Sequence, residues 1–418
     1  MRKHSNFFFC AILAVLTLTA CDKKTEELAY ADLTVQQNKE KMQNDGLATM
    51  DKLDGMSDLS GVFALRDLDN LTLNSTLAGD PIQMALSKII APMTKLDKNV
   101  MGLTNLRSTQ VDIQSLSELL PKAGGVYTYN RSTQEFTRVA NTTKIEFNYP
   151  IGSSTTNNGK LLIDNLTIST VSNPTTSSEL PKTLDIELSK NSLPMINYEY
   201  TATYNAFNEP TSVNMDISFV EGYDFNETFV HNNSEVSMEL KYTFNDENIL
   251  SGKLSTKGNF TSGALNNESN LENEQWVNQV LDNANAYFQL GNLKVTGVVD
   301  INKGKAAYDV AFPNGDTSSA ADVEKVCTLL NDNSSLVVLY AKEGTIIAKS
   351  KFYKQEYTNW EFNENTWEYQ EVTAYKPSLQ FIFKDGSAMD QSFFDQGFED
   401  LQTAVQNMMT ALQTNYSE

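Results

Sequence analysis

From Gly124 the chain alternates apolar and polar residues with a period of two, and it does so repeatedly up to Phe260. Such alternation places successive side chains on opposite faces of a strand and is incompatible with a helix. Gly125–Asn130 and Glu135–Val139 read as a hairpin across Arg131-Ser132-Thr133-Gln134. Thr143–Tyr149, Lys160–Thr170, Thr183–Leu188, Met195–Phe207, Thr211–Val220, Val236–Phe244 and Leu250–Phe260 continue the pattern. Asn157-Asn158-Gly159, Asn173-Pro174, Asn208-Glu209-Pro210 and Asn245-Asp246-Glu247 supply turn chemistry between them. Strands joined by short polar turns predict an antiparallel meander. Several runs exceed the usual five or six residues, so the expectation is one large, strongly curved sheet, open-barrel-like.

Helical patterns surround this block. Residues 51–122 read as helices and loops, the clearest opening at Asp80-Pro81 with Asp80 as N-cap. Glu272–Gln289 carries Trp276, Val277, Val280, Leu281 and Phe288 at helical spacing. Leu293–Ile301 and Ala306–Phe312 read as strands, and Ser318 or Ser319 caps a helix through Leu330. Leu336–Ala341 and Thr345–Tyr353 form a hairpin across Lys342-Glu343-Gly344; Ser378–Phe383 is the last strand and Met389–Leu412 a closing helix. The expected fold class is α+β, with helices packed on the sheet. Residues 51–418 are expected to form a single domain, helical over 51–122, a strand meander over 124–260 and mixed from 261 on.

The 418 residues carry a formal net charge of −21, which disfavours nucleic acid and anionic lipid as partners. Histidine occurs only at His4 and His231, so no histidine metal cluster is expected, and a histidine-based catalytic arrangement has only His231 to build on. Cys327 lies in an apolar helical stripe and reads as a buried, inert thiol. No nucleophile elbow, phosphate-binding loop or dinucleotide fingerprint is present. The sequence implies no cofactor, no metal and no catalytic residue. Asp and Glu abound, however, and their sequence spacing does not decide whether two of them stand as a glycosidase pair.

The densest aromatic stretch runs from Tyr353 to Tyr375. With Glu364-Asn365 as a two-residue loop, Phe362 would face Trp367, Trp360 would face Tyr369, and Glu361 would oppose Glu368. Cross-strand aromatic pairs are worth roughly 0.2–1 kcal/mol each. Trp360, Phe362, Trp367 and Tyr369 therefore have two readings: a self-stapled hairpin covering the core, or an aromatic platform for a sugar or peptide. A calcium ion between Glu361 and Glu368 is a third.

At the N-terminus, Arg2, Lys3 and His4 precede an uncharged apolar run, Phe7–Leu18, too short to span a bilayer at roughly 20 residues. Basic, apolar and small residues in that order read as a signal peptide over residues 1–20. Leu18-Thr19-Ala20-Cys21 resembles the lipobox of bacterial lipoproteins. The resemblance implies cleavage before Cys21, acyl chains such as palmitate on its sulfur and amine, and a tether over residues 21–50. The charged patch Asp22–Glu27 resembles the surface-export signal of Bacteroidota lipoproteins, while Asp22 resembles an inner-membrane retention signal. Val126–Asn130 with Glu135-Phe136, and Phe381–Ser387 before Phe393-Phe394, are similar to stretches of such lipoproteins. The lipobox plus meander resembles the periplasmic lipoprotein-carrier fold. These resemblances imply an outer-membrane lipoprotein, on its periplasmic or cell-surface face, whose membrane contact is the lipid. The expected function is non-catalytic binding of an apolar ligand or partner protein in the curved sheet. A surface glycan-binding lipoprotein and a glycan hydrolase are the alternatives.

Overall fold

A computed structural model describes residues 28–73, 117, 124–172, 177–206, 210–261, 264, 280–311, 319–363, 367–390, 393 and 397–416. The signal segment, Cys21, the charged patch after it and the helix expected at Asp80 lie outside these residues. The described chain is α+β, built on a large curved sheet that does not close. Sixteen strands follow one another in sequence order from β16 down to β3, then β1 and β2 at the far edge.

The strands are β1 (Gly125–Asn130), β2 (Glu135–Ala140), β3 (Ile145–Tyr149), β4 (Gly159–Ser172), β5 (Ser177–Lys190) and β6 (Leu193–Tyr204). Then come β7 (Pro210–Phe219), β8 (Tyr223–His231), β9 (Glu235–Phe244), β10 (Glu247–Gly258), β11 (Leu281–Leu290) and β12 (Leu293–Asp300). The last are β13 (Ser334–Tyr340), β14 (Thr345–Asn363), β15 (Glu368–Phe383) and β16 (Ala388–Met389). The helices are α1 (Val35–Leu53), α2 (Ser60–Leu73), α3 (Ile301–Ala311), α4 (Ala320–Asn333) and α5 (Glu399–Tyr416).

The meander is as expected over 124–260 with two corrections. Tyr223–His231, which was not among the expected strands, forms β8. The sheet is mixed, because β1 pairs in parallel with β3 (Val126 opposite Glu146), while β2 folds back outside β1. Four further expectations change. Residues 281–289 of the expected helix Glu272–Gln289 lie in strand β11, where Ala284 and Ala286 alternate with Asn283 and Asn285 and are buried. The expected strand Ala306–Phe312 lies largely in helix α3, whose start is fixed by Asp300 accepting the Lys303 amide at 2.9 Å. Met389 pairs with Phe381 in β16, so the closing helix starts later, at Glu399. Residues 28–50, expected within a tether, are folded. The Ala31 amide donates to Ile346 at 2.8 Å, and α1 buries Asn38, Met42 and Met50.

The chain divides into two compact units. One holds the described residues up to Thr49, Asn232–Glu239 and Leu250–Gln402; the other holds Met50–His231, Leu240–Ile249 and those from Thr403 on. In the first unit, Met42, Val338, Tyr340, Ile347, Phe383 and Phe393 form one core cluster. The Tyr340 hydroxyl donates to Asn38 Oδ1 at 3.0 Å, which satisfies both buried groups. In the second unit, Leu59 (just before α2), Val62, Leu65 and Leu68 are buried, as are Tyr127, Phe147, Tyr149 and Leu161 of the sheet. The Tyr149 hydroxyl donates to the Ala64 carbonyl at 2.9 Å, so the sheet grips the helix by backbone as well as by packing.

Candidate functional site: an aromatic hairpin tip

Strands β14 and β15 have 19 and 16 residues, far beyond the usual five or six. Their feet are held inside the first unit. Strand β13 pairs with β14 only as far as Lys349, and β16 reaches only Phe381 and Ile382 of β15. Helix α4 covers the next stretch. Asn331 clamps the Phe352 backbone, its amide donating to the carbonyl at 2.9 Å and its oxygen accepting the N–H at 2.7 Å. Lys354 pairs with Glu324 at 3.2 Å. Ser319 caps that helix as expected, and Cys327 is its buried free thiol.

Beyond α4 the two strands pair only with each other, from Gln355 opposite Lys376 to Asn363 opposite Glu368. At ~3.4 Å per residue this is a ribbon about 27 Å long. A two-stranded ribbon is marginal alone, so side chains across it matter. Lys354 sits over Tyr375 (5.6 Å to the ring centre) on one face, and Lys376 over Tyr357 (5.2 Å) on the other.

The register corrects the expected one by two residues. Phe362 is opposite Tyr369 and Trp360 opposite Glu371, while Trp367 lies in the turn. Glu361 faces Gln370 and Glu368 faces Asn363, so the Glu361/Glu368 pair that would have bridged calcium is not formed. The cause is loop length: residues 364–367 connect the strands where a two-residue loop was expected. A shift of two preserves the pleat, so Trp360, Phe362 and Tyr369 still occupy one face.

Exposure decides between the readings of this hairpin. Trp360 is 58% exposed, Tyr369 68% and Trp367 80%. None of the three is buried in a core. Trp367 also has φ +57°, a left-handed conformation that a bulky residue rarely adopts. Trp367 thus combines a strained backbone with an indole open to solvent.

Two charged clusters stand elsewhere on the sheet. In the first unit, Glu239 receives Lys253 at 3.0 Å and the Tyr287 hydroxyl at 2.9 Å. Burial and the Glu239 bond push that hydroxyl up to about 12. Lys294 stands over the Tyr287 ring at 4.0 Å, and burial lowers its pKa. In the second unit, one face carries an acidic row, with Asp164 opposite Asp185, Asp185 opposite Glu199, and Glu199 opposite Asp216. Burial, then Asp185 and Glu187, raise the Asp164 pKa. Among the described residues no group of three His, Cys, Asp or Glu side chains is placed to hold a metal ion. His231, expected in a loop, ends β8, with its ring 6.4 Å from Phe229.

Sequence reasoning found the aromatic stretch but missed the acidic row, whose members are scattered along the chain and converge only through strand pairing. No protein-family model, no curated protein and no solved structure matches the chain.

Proposed function

We propose that the chain is a membrane-anchored, non-catalytic lipoprotein that binds carbohydrate through Trp360, Trp367 and Tyr369 at the ribbon tip, with Phe362 at a register position on the same face. The observation that carries this reading is the exposure of both tryptophans at the end of a ribbon whose foot is held by Asn331 and Glu324. An indole offers a flat apolar surface on which the C–H face of a sugar ring stacks with little loss of rotamer freedom. Gln370, Glu371 and Asn359 flank the tip and supply acceptors and donors for hydroxyl groups. The large acidic charge suits a neutral or basic glycan better than an anionic one.

This reading moves the ligand from the sheet, where the sequence alone led us to expect it, to the hairpin. Helix α2 lies against the sheet at Tyr149, whose hydroxyl bonds the Ala64 carbonyl, and so takes part of the face that an apolar ligand would need. Acyl chains on Cys21 would supply the membrane contact, since two or more chains anchor firmly where one does not. The location proposed is the outer membrane, at its periplasmic or surface face.

A glycan array followed by titration of tryptophan fluorescence tests the binding. The expected result is quenching by at least one glycan class, lost in Trp360→Ala and Trp367→Ala while the folded signal stays. Absence of glycan binding, with lipid co-purifying in native mass spectrometry, would return the ligand to the sheet. The anchor is tested separately: Cys21→Ala is expected to leave the detergent phase, and its retention there would refute acylation.

A further inference from the structure

Residues 355–375 hold five glutamates and no lysine, arginine or histidine, beside two of the chain's three tryptophans. Strand pairing sorts part of this composition onto one face. Glu371 stands opposite Trp360 and Glu356 opposite Tyr375, and Tyr369 follows two residues from Glu371 on that face. Directly opposite side chains start about 4.5–5.5 Å apart at their Cβ atoms. The two glutamates are separated by four residues' length of ribbon, about 14 Å at ~3.4 Å per residue. Glu356, Trp360, Tyr369 and Glu371 are all exposed. Among the described residues neither glutamate makes a hydrogen bond or an ion pair.

The chain's own lysines show what the aromatic surfaces of this ribbon take. Lys354 stands over Tyr375 at 5.6 Å and Lys376 over Tyr357 at 5.2 Å. Trp360 has no such lysine among the described residues, although an indole attracts a cation more strongly than a phenol does. Across the ladder from it is a carboxylate, Glu371. An apolar plane beside a carboxylate suits a ligand with a flat C–H face and a positive charge at its rim. An amino sugar has both. A neutral sugar can stack and donate hydroxyls to Glu371, but a charged donor makes the stronger bond. A lysine side chain brings the charge without a ring to stack.

We propose that the ribbon tip selects a glycan with free amino groups. Its rings stack on Trp360 and Tyr369, its ammonium groups meet Glu371, and a longer oligomer reaches Glu356 as well. This selectivity rests on carbohydrate binding at the tip and adds the class of sugar that the tip takes.

The test is titration of tryptophan fluorescence in the full chain with equal-length oligomers of glucosamine and of N-acetylglucosamine, at mildly acidic pH where the free amines are charged. The glucosamine oligomer is expected to bind about tenfold more tightly, and the preference to fade in about 1 M salt. Glu371→Gln is expected to cut the preference to about threefold and to leave the N-acetylated oligomer unaffected. Glu356→Gln is expected to weaken the glucosamine oligomer about threefold and the disaccharide not at all. Asp332→Asn removes the same charge from the exposed surface of α4 and is expected to change nothing, which separates a local carboxylate from net charge. An oligolysine of matched charge is expected to bind more weakly than the glucosamine oligomer. Equal binding of the two sugars, lost in Trp360→Ala, would overturn the selectivity and leave carbohydrate binding standing; binding of neither would overturn both. A preference that survives Glu371→Gln, one that falls equally in Asp332→Asn, or oligolysine binding as tight as the sugar's would also overturn the proposal.

Discussion

Asp185 stands between two like charges in the second unit, and replacing it by Asn is expected to stabilise the protein. Its cross-strand neighbours are Asp164 on β4 and Glu199 on β6. Like charges placed directly opposite each other destabilise by roughly 0.2–1 kcal/mol per pair, so two pairs cost about 0.4–2 kcal/mol together. The lower half of that range applies, because Glu199 is exposed and water screens it. Asn165 donates to Asp185 Oδ2 at 2.9 Å, and an Asn side chain still offers an oxygen in its place. The expected net gain is about 1 kcal/mol, or about 2–4 °C in melting temperature for a unit of this size.

Two controls give this prediction its force. The gain must shrink in about 1 M salt, where the screening length falls to about 3 Å. It must also shrink on acidification. The folded-state pKa of Asp164 is raised, so the folded chain binds that proton at a higher pH than the unfolded chain does. Stability from this group therefore falls as pH rises through the interval between the unfolded and folded values, and the full penalty is present at neutral pH. Lowering the pH relieves the unsubstituted chain more than Asp185→Asn, and the two melting curves converge. Thermal unfolding by circular dichroism at low salt, high salt and two pH values measures all of this. A neutral or destabilised variant at low salt, or a gain indifferent to salt and acid, refutes the electrostatic reading of the row.

Three further outcomes are expected. Trp360→Ala with Trp367→Ala leaves the melting temperature within the change typical of surface substitutions, about 0.5 kcal/mol, because neither indole is buried; a loss of several kcal/mol in the melt would restore the core-covering reading. Gly291→Ala destabilises by roughly 1–3 kcal/mol by denaturant titration, since φ is +56° and a Cβ there collides with Thr49 Oγ1. Asn292→Ala costs about 1–3 kcal/mol, because buried Asn292 donates to Asp45 at 2.8 Å and Glu343 at 3.0 Å and accepts the Lys342 amide at 2.8 Å. Burial raises the Glu343 pKa, but bonds from Asn292 and Lys41 outweigh it and hold the carboxyl low. The associated stability is present above the unfolded value and is lost as pH falls through the folded one, so Asn292→Ala is also expected to flatten the acid limb of the stability curve.

The meander was legible because a half-buried strand writes its period into the chain: Ile186 and Leu188 are separated by Glu187 and are buried as read. Misreadings arose where period and packing disagree. Leu281–Leu290 hides its alternation in Ala284 and Ala286, which score as helix formers and pack as strand residues. The parallel β1–β3 contact leaves no local mark, because it depends on which neighbour β1 finds after β2 folds outside it. Residues 22–50 read as a tether by composition, with 38–42 as a weak helix or extended spacer, yet Met42 and Met50 stand on helix α1 and are buried. At the hairpin, the aromatic composition was readable and the loop length was not, and that one length sets the whole register.

The hairpin also shows why exposure and rigidity have to be read together. An exposed tryptophan on a mobile loop would pay its ordering entropy on every encounter. Here the residues that carry the indoles are fixed from below. Asn331 fastens Phe352, Lys354 bridges to Glu324, and the two lysine–tyrosine stacks brace both faces of the ribbon. The stacks lie between the clamp and the tip, where a two-stranded ribbon is weakest. A chain that only needed to end its sheet would have turned after Phe352, at the limit of helix support. The continued pairing to Asn363 and the left-handed Trp367 are features of an element built to project. Weakening a brace should then reduce binding without touching the tip. Lys376→Ala, which removes the cation from Tyr357, is expected to leave Trp360 and Trp367 exposed yet lower glycan affinity severalfold, with faster amide exchange above Gln355. Unchanged exchange in that variant would mean that the ribbon draws its stiffness from its backbone ladder alone.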